Sequence, residues 1–187
     1  MHVVYSVDEL AVIMGKIAEA GIDAVIIGGT VVELSLKARR FKGDIDLFAV
    51  EPSPLLDEEV FRNLAEREGW DYSYTELGTP RLLAKTSSGE VPVEFYENIY
   101  DFYVPLEMLR EATSIRLRGL RVRIISVEDY LVLKARAGEE RDLARLKELA
   151  SMPRLKVDTR RIRERAGLFE DESDIILRRL RDAGFKV

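Results

Sequence analysis

A chain of 187 residues with 47% hydrophobic content has enough apolar material for one domain core, or for one domain with an appendage. It contains no Cys, which removes disulfides, thiolate metal sites and Cys nucleophiles together. The single histidine is His2, read as part of a frayed terminus, which leaves almost no room for Ser-His or His-metal chemistry, and the net charge of −5 argues against broad non-specific nucleic-acid binding.

Ser6-Val7-Asp8-Glu9 is a capping-box pattern, and it opens a helix with Leu10, Ile13 and Ile17 on one face and Gly21 as its stop. An apolar strand from Ala24 to Ile27 follows, then Gly28-Gly29-Thr30, and a helix-like segment to about Arg39. A basic connector (Arg39, Arg40, Phe41, Lys42, Gly43) leads to a second strand from Asp44 to Phe48. Alternation along that strand puts Asp44 and Asp46 on one face, with roughly 7 Å between their Cα atoms, and turns Ile45 and Leu47 into a core. Two carboxylates so placed make a hard, oxygen-rich site suited to Mg²⁺ or Mn²⁺. The glycine pair lets backbone approach a ligand closely, and the helix behind it aims N–H groups and a positive dipole end at phosphate. Together these features point to an enzyme handling a nucleoside triphosphate.

Ser53-Pro54 reads as the start of a further helix ended by Gly69, with Leu56, Val60 and Leu64 as its buried stripe. Strands follow over Asp71 to Tyr74, Arg81 to Thr86 and Glu90 to Tyr96, the last two joined at Ser87-Ser88-Gly89. In the last of them Val91, Val93 and Phe95 share one face, and Glu94 and Tyr96 share the other. The stretch from Asn98 to Met108 is aromatic, with Tyr100, Phe102 and Tyr103. It is either a base-stacking platform or, the favoured reading, a loop returning to the core with its aromatics buried. Ser114 to Ile124 reads as a hairpin around Gly119, with Arg116 and Arg118 on one face of the first arm and Arg121 and Arg123 on one face of the second. Such a surface either holds phosphates or is a solvated sheet face. Ser126-Val127-Glu128-Asp129 is a second capping box, opening a helix to about Ala137 that a charged helix from Glu139 to Ala150 follows. Asp158 and Ser173 are the expected caps of two last helices, which bury Ile162 and Ala166, then Ile176 and Leu180. With no Gln, only Asn63 and Asn98 as asparagines and 34% charged residues, the composition leans towards a thermophilic source. No apolar run reaches membrane-spanning length and no signal-peptide pattern opens the chain, so the expectation is a cytoplasmic protein.

Gly28-Gly29-Thr30 followed by Asp44-Ile45-Asp46-Leu47, with a strand before each, resembles the nucleotidyltransferase superfamily with the DNA polymerase β-type palm. The run from Ser126 to Gly138, with Leu133-Lys134 and then Arg141-Asp142, is similar to the standalone AbiEii toxin-type proteins and their uncharacterised relatives. The resemblance implies an α/β (α+β) fold: a mixed β-sheet with flanking helices over residues 1–125, and a C-terminal helical region over 126–187 packed on it. It implies a third carboxylate from a later strand, for which Glu94 is the candidate and Glu90 and Glu97 the weaker ones. Asp44, Asp46 and Glu94 would then be both the catalytic residues and the ligands of Mg²⁺ or Mn²⁺ in a two-metal mechanism. Gly28, Gly29 and Thr30 would grip the β- and γ-phosphates, Arg39, Arg40 or Lys42 would close over them, Lys134 would reach them and Asp142 would brace the site. The alternative for Lys134 and Asp142 is helix solubility and an intrahelical ion pair. The implied reaction moves a nucleoside monophosphate from an NTP to a hydroxyl on RNA (a tRNA end among the candidates) or on protein. The other class is an inactive binding protein or toxin–antitoxin component, with an antitoxin or HEPN-type protein as partner. A hydrolase or phosphotransferase using the same metal pair is a third reading.

Overall fold

In the computed structural model, which describes residues 3–187, the chain divides into two units. One comprises the chain up to Tyr103 together with Ala112–Ile124; the other comprises Val104–Glu111 and Ile125–Val187. His2 lies outside the described residues.

The first unit runs β1 (Val4–Ser6), α1 (Val7–Glu19), β2 (Asp23–Ile26), α2 (Thr30–Ser35), β3 (Arg40–Lys42), β4 (Ile45–Glu51), α3 (Glu58–Glu68), β5 (Asp71–Tyr74), β6 (Pro80–Thr86) and β7 (Gly89–Tyr96), and closes with β8 (Thr113–Leu117) and β9 (Leu120–Ile124). Seven strands form one mixed sheet in the order β5-β6-β7-β4-β2-β9-β8, and β1 pairs with β3 in a separate ribbon. β4 sits at the centre, antiparallel to β2 and parallel to β7. Its alternation is the expected one: Ile45 and Leu47 are fully buried while Asp46 is half-buried on the other face.

α1 starts on the expected capping box, with Ser6 Oγ accepting from Glu9 N and Glu9 accepting from Ser6 N. The Glu9 carboxylate also accepts from the Ser87 and Ser88 hydroxyls at 2.8 and 2.9 Å, tying the helix start to the β6–β7 turn. Leu10, Ile13 and Ile17 are buried; each such side chain contributes about 1.5–3 kcal/mol relative to exposure.

Several local expectations differ from the structure. α2 stops at Ser35, short of Arg39, and Lys37 takes a left-handed φ of 56°. The basic connector is itself strand, because β3 finds its partner in β1, far back in the chain. The helix expected from Ser53 begins only at Glu58, and Leu56 is 88% exposed; Phe61, Leu64 and Ala65 form the buried stripe instead. Residues 53–57 are held as a turn: Ser53 Oγ and Leu55 N both donate to Glu97, and Ser53 N donates to Asp57. In the aromatic stretch Tyr100 is 85% exposed and Tyr103 is exposed as well, so the loop does not bury these two; Phe102 is half-buried against Tyr96.

The second unit is helical: α4 (Leu106–Arg110), α5 (Val127–Ala137), α6 (Glu140–Ala150), α7 (Thr159–Ala166), a 3-10 turn (Gly167–Glu172) and α8 (Ser173–Ala183). Ser126 and Asp129 form the expected capping box of α5, and Asp158 caps α7. Ser173 is the first residue of α8 rather than its cap. Asp129 is fully buried, 2.9 Å from Arg165 Nε, and burial pushes its carboxyl above the ordinary value against the hydrogen bonds from Ser126 and the charge of Arg165. Arg165 and Arg161 also reach Glu111, which joins the 104–111 segment to these helices. Among the described residues no helix is long and apolar enough to cross a membrane.

Candidate active site

β2 ends beside β4, where Ile27 N donates to the Asp46 carbonyl at 3.0 Å, so Gly28 is delivered directly against Asp46. A Cβ at Gly28 would overlap the Asp46 carboxylate and lie 2.6 Å from its Cβ. Only glycine leaves that carboxylate where it is. Gly29 differs: a Cβ there meets nothing within 4 Å, and Gly29 precedes the first residue of α2 in ordinary right-handed geometry. Thr30 begins α2 and is buried, with its hydroxyl 3.3 Å from that of Tyr5.

Asp44 is exposed on the residue before β4, just after Gly43, which turns the chain at φ 84°. Glu94 lies directly opposite Asp46 in the parallel β4–β7 pair and is only 9% exposed. Parallel partners share a face about 4.8 Å apart, so the two side chains stand next to each other on the sheet. Both Glu94 oxygens are engaged. The Tyr96 hydroxyl donates to Oε2, and Arg81 Nε, from the antiparallel partner position on β6, sits 3.3 Å from Oε1. Tyr96 is itself fixed by stacking on Phe102, with ring centroids 4.8 Å apart.

Two phenols, the buried Tyr5 and the half-buried Tyr96, feel these carboxylates. Burial pushes the Tyr96 hydroxyl well above its ordinary range, and Asp46, Glu94 and Asp44 push it the same way. Burial likewise raises Tyr5, opposed by the hydrogen bond with Thr30 and reinforced by Glu33, Asp46 and Asp44. The β1–β3 ribbon brings Tyr5 here, with its ring against Phe41 at 5.6 Å.

Among the described residues no group of three or more His, Cys, Asp or Glu side chains is gathered closely enough to hold a metal ion by itself. Asp44 and Asp46 supply two hard oxygen donors. That set fits an ion such as Mg²⁺, which characteristically takes one or two carboxylates and completes its shell with water and substrate phosphates. It does not make a dedicated protein cage. Of the weaker carboxylates, Glu97 is committed to Ser53 and Leu55, and Glu90 is exposed opposite Lys85.

The basic candidates separate. Arg40 and Lys42 are exposed on β3, with Phe41 buried between them, and Lys42 N donates to the Glu33 carboxylate at 3.3 Å. Arg39 lines an open cleft of about 490 Å³ with Ser6, Val7, Asp8 and Arg118. On the arginine hairpin, Arg118 is tied to Asp8 and Arg123 to Asp23. Arg116 and Arg121 face each other across β8–β9 and are exposed. In the second unit Lys134 Nζ lies 2.8 Å from Asp142 Oδ1, a pair that bridges α5 and α6 rather than running within one helix.

Three residues of this site had no role in the reading of the sequence: Tyr5, Arg81 and Tyr96. Tyr96 was visible as the i+2 neighbour of Glu94 on one strand face. Arg81 and Tyr5 depend on strand register and offered no local signal.

A family model described as "Nucleotidyl transferase of unknown function (DUF2204)" matches residues 6–182. Among solved structures the chain is similar in fold to an antigenic nucleotidyltransferase-like protein from Paracoccidioides brasiliensis, at 20% identity, over 93% of this chain and 94% of that one, with a TM-score of 0.51. A solution structure of the antibiotic-resistance factor ANT(2'')-Ia is similar at 16% identity, over 94% and 89% of the two chains, with a TM-score of 0.48. A crystal structure of ANT(2")-Ia in complex with adenylyl-2"-tobramycin is similar at 16% identity, over 94% and 97%, with a TM-score of 0.46. No curated protein matches the chain. The glycine turn, the carboxylate strand and the near full-length family match converge: this chain belongs to the DUF2204 family of nucleotidyl transferases, within the nucleotidyltransferase superfamily.

Proposed function

We propose that this protein is a metal-dependent nucleotidyltransferase that moves a nucleoside monophosphate from an NTP to a hydroxyl acceptor on RNA or protein. The observation that carries the reading is the fit of the Asp46 carboxylate over Gly28, with Asp44 two residues earlier and Glu94 opposite on the adjacent strand. In this reading Asp44 and Asp46 hold the cation and Glu94 is the third carboxylate of the site. The backbone N–H groups of the Gly28-Gly29-Thr30 turn face the β- and γ-phosphates, and Arg39, Arg40 and Lys42 are the cations at hand for the same charge. A divalent cation bound there supplies neutralisation of triphosphate charge and activation of the acceptor hydroxyl. That hydroxyl attacks the α-phosphorus and gives up its proton to a carboxylate of the site, while the bond from the α-phosphorus to the bridging oxygen breaks and pyrophosphate departs. The Tyr96 hydroxyl, donating to Glu94, and Arg81, with its charge beside it, fix where the Glu94 carboxylate lies.

The test is incubation with each labelled NTP and either bulk RNA or protein, with pyrophosphate release as readout. Wild type should release pyrophosphate and label an acceptor, and an Asp44→Asn/Asp46→Asn variant should do neither. A variant as active as wild type would sink the reading. A second reading, a nucleotidyltransferase-fold binding protein or toxin–antitoxin component without turnover, is favoured by one observation: Glu94 is bound to Tyr96 and Arg81. It predicts no pyrophosphate release with any NTP.

A further inference from the structure

We infer that Tyr96 and Arg81 form a latch that engages the Glu94 carboxylate beside Asp46, so that Glu94 becomes a ligand of a cation at Asp44 and Asp46 only when those contacts are given up. The inference rests on the proposed role of Asp44 and Asp46 as cation ligands, and deepens it.

Glu94 and Asp46 are register partners on adjacent parallel strands, which places two acidic side chains side by side on one face. Such neighbours repel each other unless a cation comes between them or one is compensated. Here the compensation is internal to the protein. Tyr96, two residues further along β7 and therefore on the same face, donates its hydroxyl to Oε2. Arg81, the β6 partner of Glu94, stands its Nε 3.3 Å from Oε1. That Nε is buried and makes no hydrogen bond, so its partner is the charge of Glu94 alone. Tyr96 cannot turn aside freely, because its ring is stacked on Phe102. The latch thus places a hydrogen bond on Oε2 of Glu94 and a positive charge beside Oε1.

Mn²⁺ titration of the full chain without nucleotide, followed by electron paramagnetic resonance, tests this. The variants are Tyr96→Phe, Arg81→Met and Glu94→Gln, and each of the first two combined with Glu94→Gln. Removing either latch residue should tighten Mn²⁺ binding roughly 10-fold, the scale of outer-sphere effects on metal affinity. Adding Glu94→Gln should erase the gain, and Glu94→Gln alone should leave the affinity at the wild-type value. Two latch variants on different strands guard against one of them failing to fold, and circular dichroism reports which are native. Mn²⁺ bound equally by wild type and both latch variants would overturn the latch alone. So would a Glu94→Gln variant that binds Mn²⁺ more weakly than wild type, because Glu94 would then already be a ligand. No Mn²⁺ bound by any of the proteins would overturn the Asp44–Asp46 reading, and the latch with it.

Discussion

The carboxylate of Asp46 occupies the space that a side chain at position 28 would need. A residue of the β2–α2 turn and one of β4 are thereby matched in size as well as position. Gly28→Ala should keep the fold and displace the carboxylate, lowering nucleotidyl transfer by about 100-fold, the usual result of an ångström-scale misplacement. Steady-state rates beside thermal unfolding curves check this. A Gly28→Ala enzyme at full activity would mean that the Asp46 position does not matter to the chemistry.

The neighbouring glycine predicts the opposite split. Gly29→Ala meets no atom within 4 Å at an ordinary helical φ of −56°, so stability should stay within about 0.5 kcal/mol of wild type. If a triphosphate lies against that backbone, the added methyl intrudes on it, and KM for the NTP should rise while the unfolding midpoint does not move.

Arg165 and Asp129 make a buried pair in the helical unit. Arg165→Met leaves the Asp129 charge without its counter-ion and should cost about 3–5 kcal/mol in urea unfolding. Asp129→Asn in the same chain should restore much of that loss. Because burial raises the Asp129 carboxyl in the folded state, its ionised form is the costly one. The Arg165→Met variant should therefore lose less stability as the pH is lowered towards the carboxylate range.

Glu9 behaves in the opposite sense. Desolvation works against its charge, but bonds from Ser6 N and from the Ser87, Ser88 and Ser6 side chains outweigh it and hold the carboxyl well below the ordinary value of 4.5. A depressed folded-state value means that the contribution is complete above the unfolded value and is lost as pH falls towards the folded one. The stability gap between wild type and Glu9→Gln should thus be widest near about pH 7 and shrink below about pH 4. A gap that grows on acidification would contradict the assignment.

Gly138 ends α5 in the left-handed conformation at φ 66°, and the Arg179 guanidinium packs over it while donating to the carbonyls of Ala135 and Arg136 at 2.8 Å. Gly138→Ala adds backbone strain and pushes Arg179 off those carbonyls. It should destabilise by about 1 kcal/mol or more, visible as a lower denaturation midpoint.

What could be read in the chain without its fold was local. Both capping boxes, the helix stop at Gly69 and the burial of Ile45 and Leu47 all follow from residues within one turn or one strand. The spacing of Gly28-Gly29-Thr30 from Asp44 and Asp46 belongs to the same class, since a turn and an alternating strand announce themselves. The start of α3 was misplaced because Ser53 mimics a cap, and its hydroxyl and the backbone beside it are claimed by Glu97, far along the chain. β3 went unseen for the same reason, its partner being β1.

The sequence by itself thus determined the superfamily and the strand that carries Asp46. Only the tertiary structure decided that Glu94 stands opposite Asp46, that Arg81 and Tyr96 engage it, and that Tyr5 closes over Thr30. Those facts depend on which strands pair and in what register. A shift of one residue would turn each of these side chains to the other face of the sheet, so no local pattern encodes them.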